Sequence, residues 1–173
     1  MRLELGVGLC VRDWERDDAP ALARHADDPA IARWLRDTFP SPYSLGDARR
    51  WISAAIKTDP RTSFAIALDG ESIGAISVEL GTDVYRLSAE VGYWVGQAHW
   101  GKGVATRALM TFTPWAFEAY GLERVWAGVF AANAASARVL EKAGYALEGR
   151  MWRALVKDGT LDDLLLYARV REG

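Results

Sequence analysis

The spacing of apolar and polar positions divides the chain into short elements whose period switches between two and about 3.6. Residues 8–14 form an apolar run that predicts a first strand. Residues 17–34 carry a helical pattern, interrupted at Asp27-Asp28-Pro29, and the prolines of residues 38–44 predict a loop. A second helix is expected over 45–57, with Asp47 in its first turn and Trp51 and Ile52 on its apolar side. Strands are predicted over 63–68 and 72–80, joined at Asp69-Gly70, a pair that favours a tight hairpin. A fourth strand follows over 87–95. Its alternation sets Leu87, Ala89, Val91, Tyr93 and Val95 on one face and Glu90, Gly92 and Trp94 on the other.

The longest helical repeat comes next. Val104, Ala108, Phe112, Trp115, Ala119 and Tyr120 recur at helical spacing, and Gly121 suits the cap that follows. Pro114 lies inside this repeat and predicts a local bend. A fifth strand over 124–130, a short helix over 133–143 ended by Gly144, and a strand pair over 145–156 and 161–169 complete the pattern. No repeat, low-complexity stretch or long linker breaks it, so one domain over residues 1–173 is expected. Helices on a mostly antiparallel sheet of about six to seven strands make the class α/β or α+β.

Composition narrows the function little but excludes several classes. A net charge of −2 gives no case for nucleic acid as the main partner. No apolar run approaches the length needed to span a bilayer, and the apolar stretch at 5–11 follows Glu4 without a small-residue cleavage site, so no membrane segment or signal peptide is expected. The single Cys10 excludes an internal disulfide, fits a reducing cytoplasm and reads as core. His25 and His99 lie far apart in the chain, so no metal site is expected. Eight tryptophans imply an aromatic-rich core or cleft wall.

The stretch that carries chemistry is Val91-Gly-Tyr-Trp-Val-Gly-Gln-Ala-His-Trp-Gly-Lys-Gly-Val-Ala-Thr106. A strand, a glycine turn and a helix N-terminus in succession make an anion site, because the first helical N–H groups lack intrahelical partners and the macrodipole is positive there. A nucleotide-hydrolysing P-loop would need Ser or Thr where Gly103 stands, and a dinucleotide fingerprint would need glycine where Thr106 stands. A coenzyme A pyrophosphate loop needs neither.

Trp100-Gly-Lys-Gly-Val-Ala-Thr106 resembles the acyl-CoA loop of the GNAT superfamily of N-acetyltransferases. Asn133-Ala-Ala-Ser-Ala-Arg-Val-Leu-Glu-Lys-Ala-Gly-Tyr145 resembles a later motif of that superfamily, and Ala89-Glu-Val-Gly-Tyr-Trp-Val95 resembles the strand before the loop in its RimJ/RimL-like branch. The resemblance implies a GNAT-like fold with a splayed strand pair forming an acetyl-CoA cleft. It implies that the pantetheine arm pairs with backbone near Tyr93 and Val95. The pyrophosphate would rest on N–H groups of Gly101, Gly103, Val104, Ala105 and Thr106, with Lys102 either adding a point charge or lying solvated. Asn133 would cap its helix and contact the arm. The amine would attack the acetyl thioester directly, with a backbone N–H near Val95 stabilising the oxyanion.

Two side chains are candidates for proton transfer. The branch places a serine three residues after the asparagine near the sulfur, and Ser136 matches it; otherwise Ser136 serves its helix's first turn. Many relatives use a tyrosine one turn further on, where this chain has Leu140. Glu90 is the candidate base, reading either as a cleft carboxylate beside Trp94 or as an exposed strand residue. His99 reads as a surface group or a nucleotide neighbour. Trp100 stands where the family often has Gln or Arg, and packs beside the nucleotide or braces the turn; Arg107 stands where the branch often has Glu. Trp34, Phe39, Tyr43 and Trp152 are candidates to line an acceptor mouth, and Asp37, Asp162 or Asp163 to receive an ammonium, each with core packing or plain surface as the alternative. The expected activity is acetyl-CoA-dependent acetylation of a primary amine, of a protein N-terminus or of a small molecule such as an antibiotic, polyamine or amino acid. A CoA-binding sensor without turnover is the non-enzymatic alternative. The resembled branch also implies a homodimer.

Overall fold

Three tight turns set the strand register at the start, middle and end of the chain. A computed structural model describes residues 1–172. Gly6 and Gly8, both at positive φ, fold β1 (Arg2–Gly6) onto β2 (Leu9–Arg12). Asp69 and Gly70, at φ 49° and 87°, join β3 (Ser63–Leu68) to β4 (Glu71–Leu80). Asp158 and Gly159, at φ 49° and 74°, join β7 (Ala146–Lys157) to β8 (Thr160–Val170). Consecutive left-handed residues match the twist of the flanking strands, which is why Asp-Gly fixes the second and third of these hairpins.

With β5 (Ser88–Val95) and β6 (Arg124–Phe130), the strands form one mixed sheet in the order β1-β2-β3-β4-β5-β6-β8-β7. Eight strands exceed the six to seven expected. The additional one is β1, whose Arg-Leu-Glu-Leu alternation is a period-two signal in its own right. β6 runs parallel to β5 and antiparallel to β8. The β5–β6 ladder pairs Ser88, Ala89 and Glu90 with Arg124, Val125 and Trp126, while β5 continues to Val95 and β6 to Phe130. The helices are α1 (Ala19–Ala26), α2 (Pro29–Ala32), α3 (Leu45–Lys57), α4 (Val104–Tyr120) and α5 (Ala134–Lys142). The interruption expected near Pro29 separates α1 from α2, and α4 continues through Pro114 to the left-handed Gly121.

The fold divides into two compact units. The first comprises Met1–Ser77 and Tyr93–Ala108. Its helical layer buries Trp14, Leu22, Tyr43, Ala48 and Ile52 against Ala65 and Ala75 of the sheet, with Phe39 and Trp94 packed on the same cluster. A buried ion pair ties this layer down: Arg12 donates to both carboxylate oxygens of Asp18 at 2.7 Å and to the Gly70 carbonyl at 3.1 Å. Removing one partner of such a pair strands a charge and costs about 3–5 kcal/mol. The second unit comprises Val78–Gly92 and the chain from Leu109 onward. Leu109, Phe112, Leu122, Val125 and Leu140 are fully buried in it, and the Thr113 and Tyr145 hydroxyls share a buried hydrogen bond of 2.6 Å.

Burial, reinforced by Asp47, pushes the Tyr43 phenol from its ordinary 10.0 up to about 12. The folded state therefore holds this proton more tightly than the unfolded chain. The contribution to stability is fully present below about pH 10 and is lost as pH rises through about 12. Tyr43→Phe should flatten this alkaline loss relative to the parent, as measured by urea unfolding across that range.

Candidate active site

The loop that follows β5 is held by backbone hydrogen bonds and by side chains that reach its carbonyls. Gly96 N–H donates to the Ile73 carbonyl on β4 at 2.7 Å. Successive strand residues face opposite edges, so the N–H groups of Val95 and Tyr93 point to the edge away from β4. A single 3-10 turn, Gln97–His99, leads into a turn over 100–103 and then α4. Gly101 and Gly103 have φ of 72° and 74°, and a Cβ built on either would meet no protein atom within 4 Å. Glycine is thus required by backbone conformation, and the surface above both residues stays open. The first i→i−4 bond of the helix runs from Arg107 N–H to the Gly103 carbonyl at 3.0 Å. The N–H groups of Val104, Ala105 and Thr106 precede that ladder, at the positive end of a 17-residue helix.

Trp100 and Arg107, noted for their departure from the family's loop, and Lys102 are drawn into it. The Trp100 indole N–H donates to the Val95 carbonyl at 2.6 Å, so of the two roles considered for Trp100, bracing the turn is the one its geometry performs. Lys102 Nζ donates to the Ala98 carbonyl at 2.9 Å and is not simply solvated. Arg107 reaches the carbonyls of Leu5 and Lys102 at 3.4 and 3.5 Å.

His99 lies beside a small charged group. Its ring stands 5.5 Å from that of His25, which in turn contacts Glu71 Oε1 at 2.7 Å, with Arg24 on the same oxygen. Burial, then the His25 and Lys102 charges, hold the His99 pKa below its ordinary value. Sequence distance misled here, since the two histidines meet in space. Among the described residues, however, no three His, Cys, Asp or Glu gather as a metal site would need. Gly96 supplies the room for this pair, because a Cβ on it would sit 2.6 Å from His25 Nδ1.

In the second unit Glu90 is half-buried and stands in register with Trp126 of β6. Sequence alternation identified Trp94 as a neighbour but gave no hint of Trp126, which only the parallel pairing brings alongside. Asn133 is the N-cap of α5, its Oδ1 accepting the Ser136 N–H at 3.2 Å. The cap therefore belongs to Asn133, and Ser136 contributes its backbone to it. Leu140 is fully buried.

The acceptor candidates separate. Phe39 and Tyr43 stack at 4.9 Å, and Phe39 meets Trp94 edge-on at 6.0 Å, so these two are part of the packing. Trp34 carries the Arg33 guanidinium at 4.6 Å from its ring. Trp152 is 72% exposed, with the Arg150 guanidinium 4.2 Å from its ring. Asp163 accepts the Arg153 N–H at 2.6 Å and Arg150 Nε at 2.7 Å, which holds its carboxyl below the usual range. Asp162 accepts the Asp163 N–H at 2.8 Å.

The chain matches the Acetyltransferase (GNAT) domain family over residues 8–146, a span that contains this strand, glycine turn and helix. The chain belongs to that family and is an N-acetyltransferase of it. YdaF of Bacillus subtilis (strain 168) is 33% identical, over 94% of this chain and 91% of its own. The ribosomal-protein-serine acetyltransferase of Escherichia coli (strain K12) is 28% identical, over 79% of each chain. Mycobacterium smegmatis RimJ, solved in complex with CoA-disulfide, is 30% identical with a TM-score of 0.84, covering 98% of this chain and 84% of that one.

The capping geometry separates two neighbouring substitutions. Asn133→Ala removes the acceptor and should cost about 0.5–2 kcal/mol of stability. Ser136→Ala retains the N–H that Asn133 binds and should leave the cap intact. Denaturant unfolding of both variants checks the difference.

Proposed function

We propose that the protein transfers an acetyl group from acetyl-CoA to the α-amine of a protein or peptide, with residues 1–173 acting as one catalytic domain in the cytoplasm. The observation that carries the reading is the open pair of left-handed glycines directly before the α4 N-terminus. Pyrophosphate oxygens are assigned to the N–H groups of Gly101, Gly103, Val104, Ala105 and Thr106. The pantetheine amides are assigned to the β5 edge at Tyr93 and Val95 and to Asn133. Lys102 acts on the loop's backbone, with its charge a secondary contribution to phosphate binding.

Glu90 takes the proton of the attacking ammonium, directly or through a water. The Val95 N–H, directed away from β4, receives the oxyanion. The Ser136 hydroxyl meets the leaving thiolate from the first turn of α5, where Asn133 Oδ1 accepts the Ser136 N–H. A peptide acceptor is favoured over a polyamine by the fate of Asp163. It is already neutralised by Arg150, which withdraws it from binding a multiply charged amine, while Asp162 accepts its neighbour's N–H. The likeness to a ribosomal-protein-serine acetyltransferase supports the same choice. The lone buried Cys10 supports a reducing compartment, and the dimer implied by the resembled branch belongs to this reading, to be tested by light scattering.

A panel of peptides and small amines assayed with acetyl-CoA tests the acceptor, and faster turnover of polyamines than of any peptide would overturn the peptide assignment. Gly103→Asp places a charged side chain in the open surface above the loop. It should weaken CoA binding by several kcal/mol, about a thousandfold, with the fold retained; unchanged affinity by calorimetry would remove the phosphate-loop assignment.

Glu90→Gln should lower turnover about 10²-fold at neutral pH. The defect should shrink as pH rises, because more of the amine then arrives already neutral. A pH–rate profile matching the parent in height and shape would return Glu90 to a structural role.

A further inference from the structure

Six carbonyl groups of the segment from Val95 to Gly103 accept hydrogen bonds from donors within or beside the loop. The Val95 carbonyl accepts the Trp100 indole N–H at 2.6 Å. The Gly96 carbonyl accepts His99 N–H at 2.9 Å, and the Gln97 carbonyl accepts Trp100 N–H at 3.1 Å. The Ala98 carbonyl accepts Lys102 Nζ at 2.9 Å. The carbonyls of Lys102 and Gly103 accept Arg107, through its guanidinium at 3.5 Å and its N–H at 3.0 Å. A phosphate beside this loop is repelled by any carbonyl oxygen turned toward it. Holding these six carbonyls elsewhere lessens that repulsion and limits the rearrangement needed when the anion arrives.

Of these donors, Trp100 acts at the longest lever. Its backbone N–H and its side-chain N–H bind carbonyls two residues apart, so one residue closes the turn on both sides. The side-chain bond is short, and it holds the last carbonyl of β5 to the first residue of the glycine turn. The indole is 44% exposed, too open to owe its place to core burial.

We propose that Trp100 is a positioning residue for acetyl-CoA. Its indole N–H locks the loop in the conformation that binds pyrophosphate, and it does so without touching the phosphate. The inference rests on the assignment of the pyrophosphate to this loop. Since Trp100 acts through the phosphate site, it matters only for a donor that carries phosphates.

The test compares two acyl donors on two variants. Trp100→Phe keeps an aromatic ring and removes the N–H. Incorporation of 3-benzothienylalanine at position 100 keeps the indole's shape and removes the N–H alone. Each should raise the KM for acetyl-CoA about five- to tenfold, the scale of one net hydrogen bond, and leave kcat within about twofold. Turnover of acetyl-pantetheine, which has no phosphates, should match the parent. If Trp100→Phe does not fold, the isosteric variant alone gives the result. Unchanged KM for acetyl-CoA in the isosteric variant would overturn the proposal. Equal losses with both donors would also overturn it, because the indole would then serve the strand and not the phosphate loop. Gly103→Asp, measured beside them, separates the two levels. If it leaves CoA affinity intact, the phosphate-loop assignment fails; if it abolishes affinity while the Trp100 variants match the parent, only the positioning role fails.

Discussion

Backbone polarity at the end of β5 is the constraint on which the functional reading depends. Each residue there carries one donor and one acceptor that need partners, and the chain sorts them by direction. Carbonyls from Val95 to Ala98 find donors within the loop, while the α4 N-terminus leaves N–H groups ahead of its ladder. That sorting requires left-handed backbone at Gly101 and Gly103. It also requires the β4 contact at Gly96, which fixes which edge the Tyr93 and Val95 N–H groups face. The proposed anion site rests on these backbone conditions. This is why the glycines are more informative than Lys102.

Much of the fold was legible because local chemistry and period agreed. α3, β3 and β6 run over the residues that their patterns predicted, and Ser44 and Asp47 form the reciprocal cap that opens α3. Asp69-Gly70 fixed its hairpin for the same reason. What escaped the sequence was pairing between segments distant along the chain. Trp126 becomes the register neighbour of Glu90 only through a parallel ladder, and no local period encodes that. The contact between His25 and His99, and the capture of Asp163 by Arg150 and the Arg153 N–H, are likewise tertiary. β1 was missed for a different reason: it is short, half-polar and at the sheet's edge, so its alternation was masked by the stronger apolar run that follows.

The terminal hairpin shows how one carboxylate can be removed from acceptor chemistry. β7 and β8 shift register between Met151 and Leu155, and Arg153 within that bulge takes φ of 53°. Left-handed backbone at a non-glycine residue is unfavourable and needs local support. Asp163 supplies it by accepting the Arg153 N–H, and Arg150 neutralises the carboxylate from the other side while lying over Trp152. Asp163 is therefore spent on shaping the bulge, and the group the bulge presents is the exposed Trp152 ring. An acceptor met here would be met by an aromatic surface and a guanidinium, not by a free carboxylate.

The packing of α5 bears on why the hydroxyl proposed to meet the thiolate stands at 136 and not one turn later. Residues 136 and 140 share one stripe of the helix, because four residues make slightly more than a full turn. Leu140 is fully buried and Ala137 nearly so, while Ser136 is half-buried. The stripe thus enters the core as it leaves the helix N-terminus. A tyrosine at 140 on this backbone would have to force a larger, polar-tipped side chain into a filled apolar site, at a typical overpacking cost of about 1–3 kcal/mol and with a hydroxyl to satisfy. The same core already accommodates one tyrosine hydroxyl, that of Tyr145, by pairing it with Thr113. With position 140 given to packing, a hydroxyl on this stripe that is to meet a ligand has to lie before the stripe is buried. Ser136 is the residue there, with its N–H held by Asn133 Oδ1.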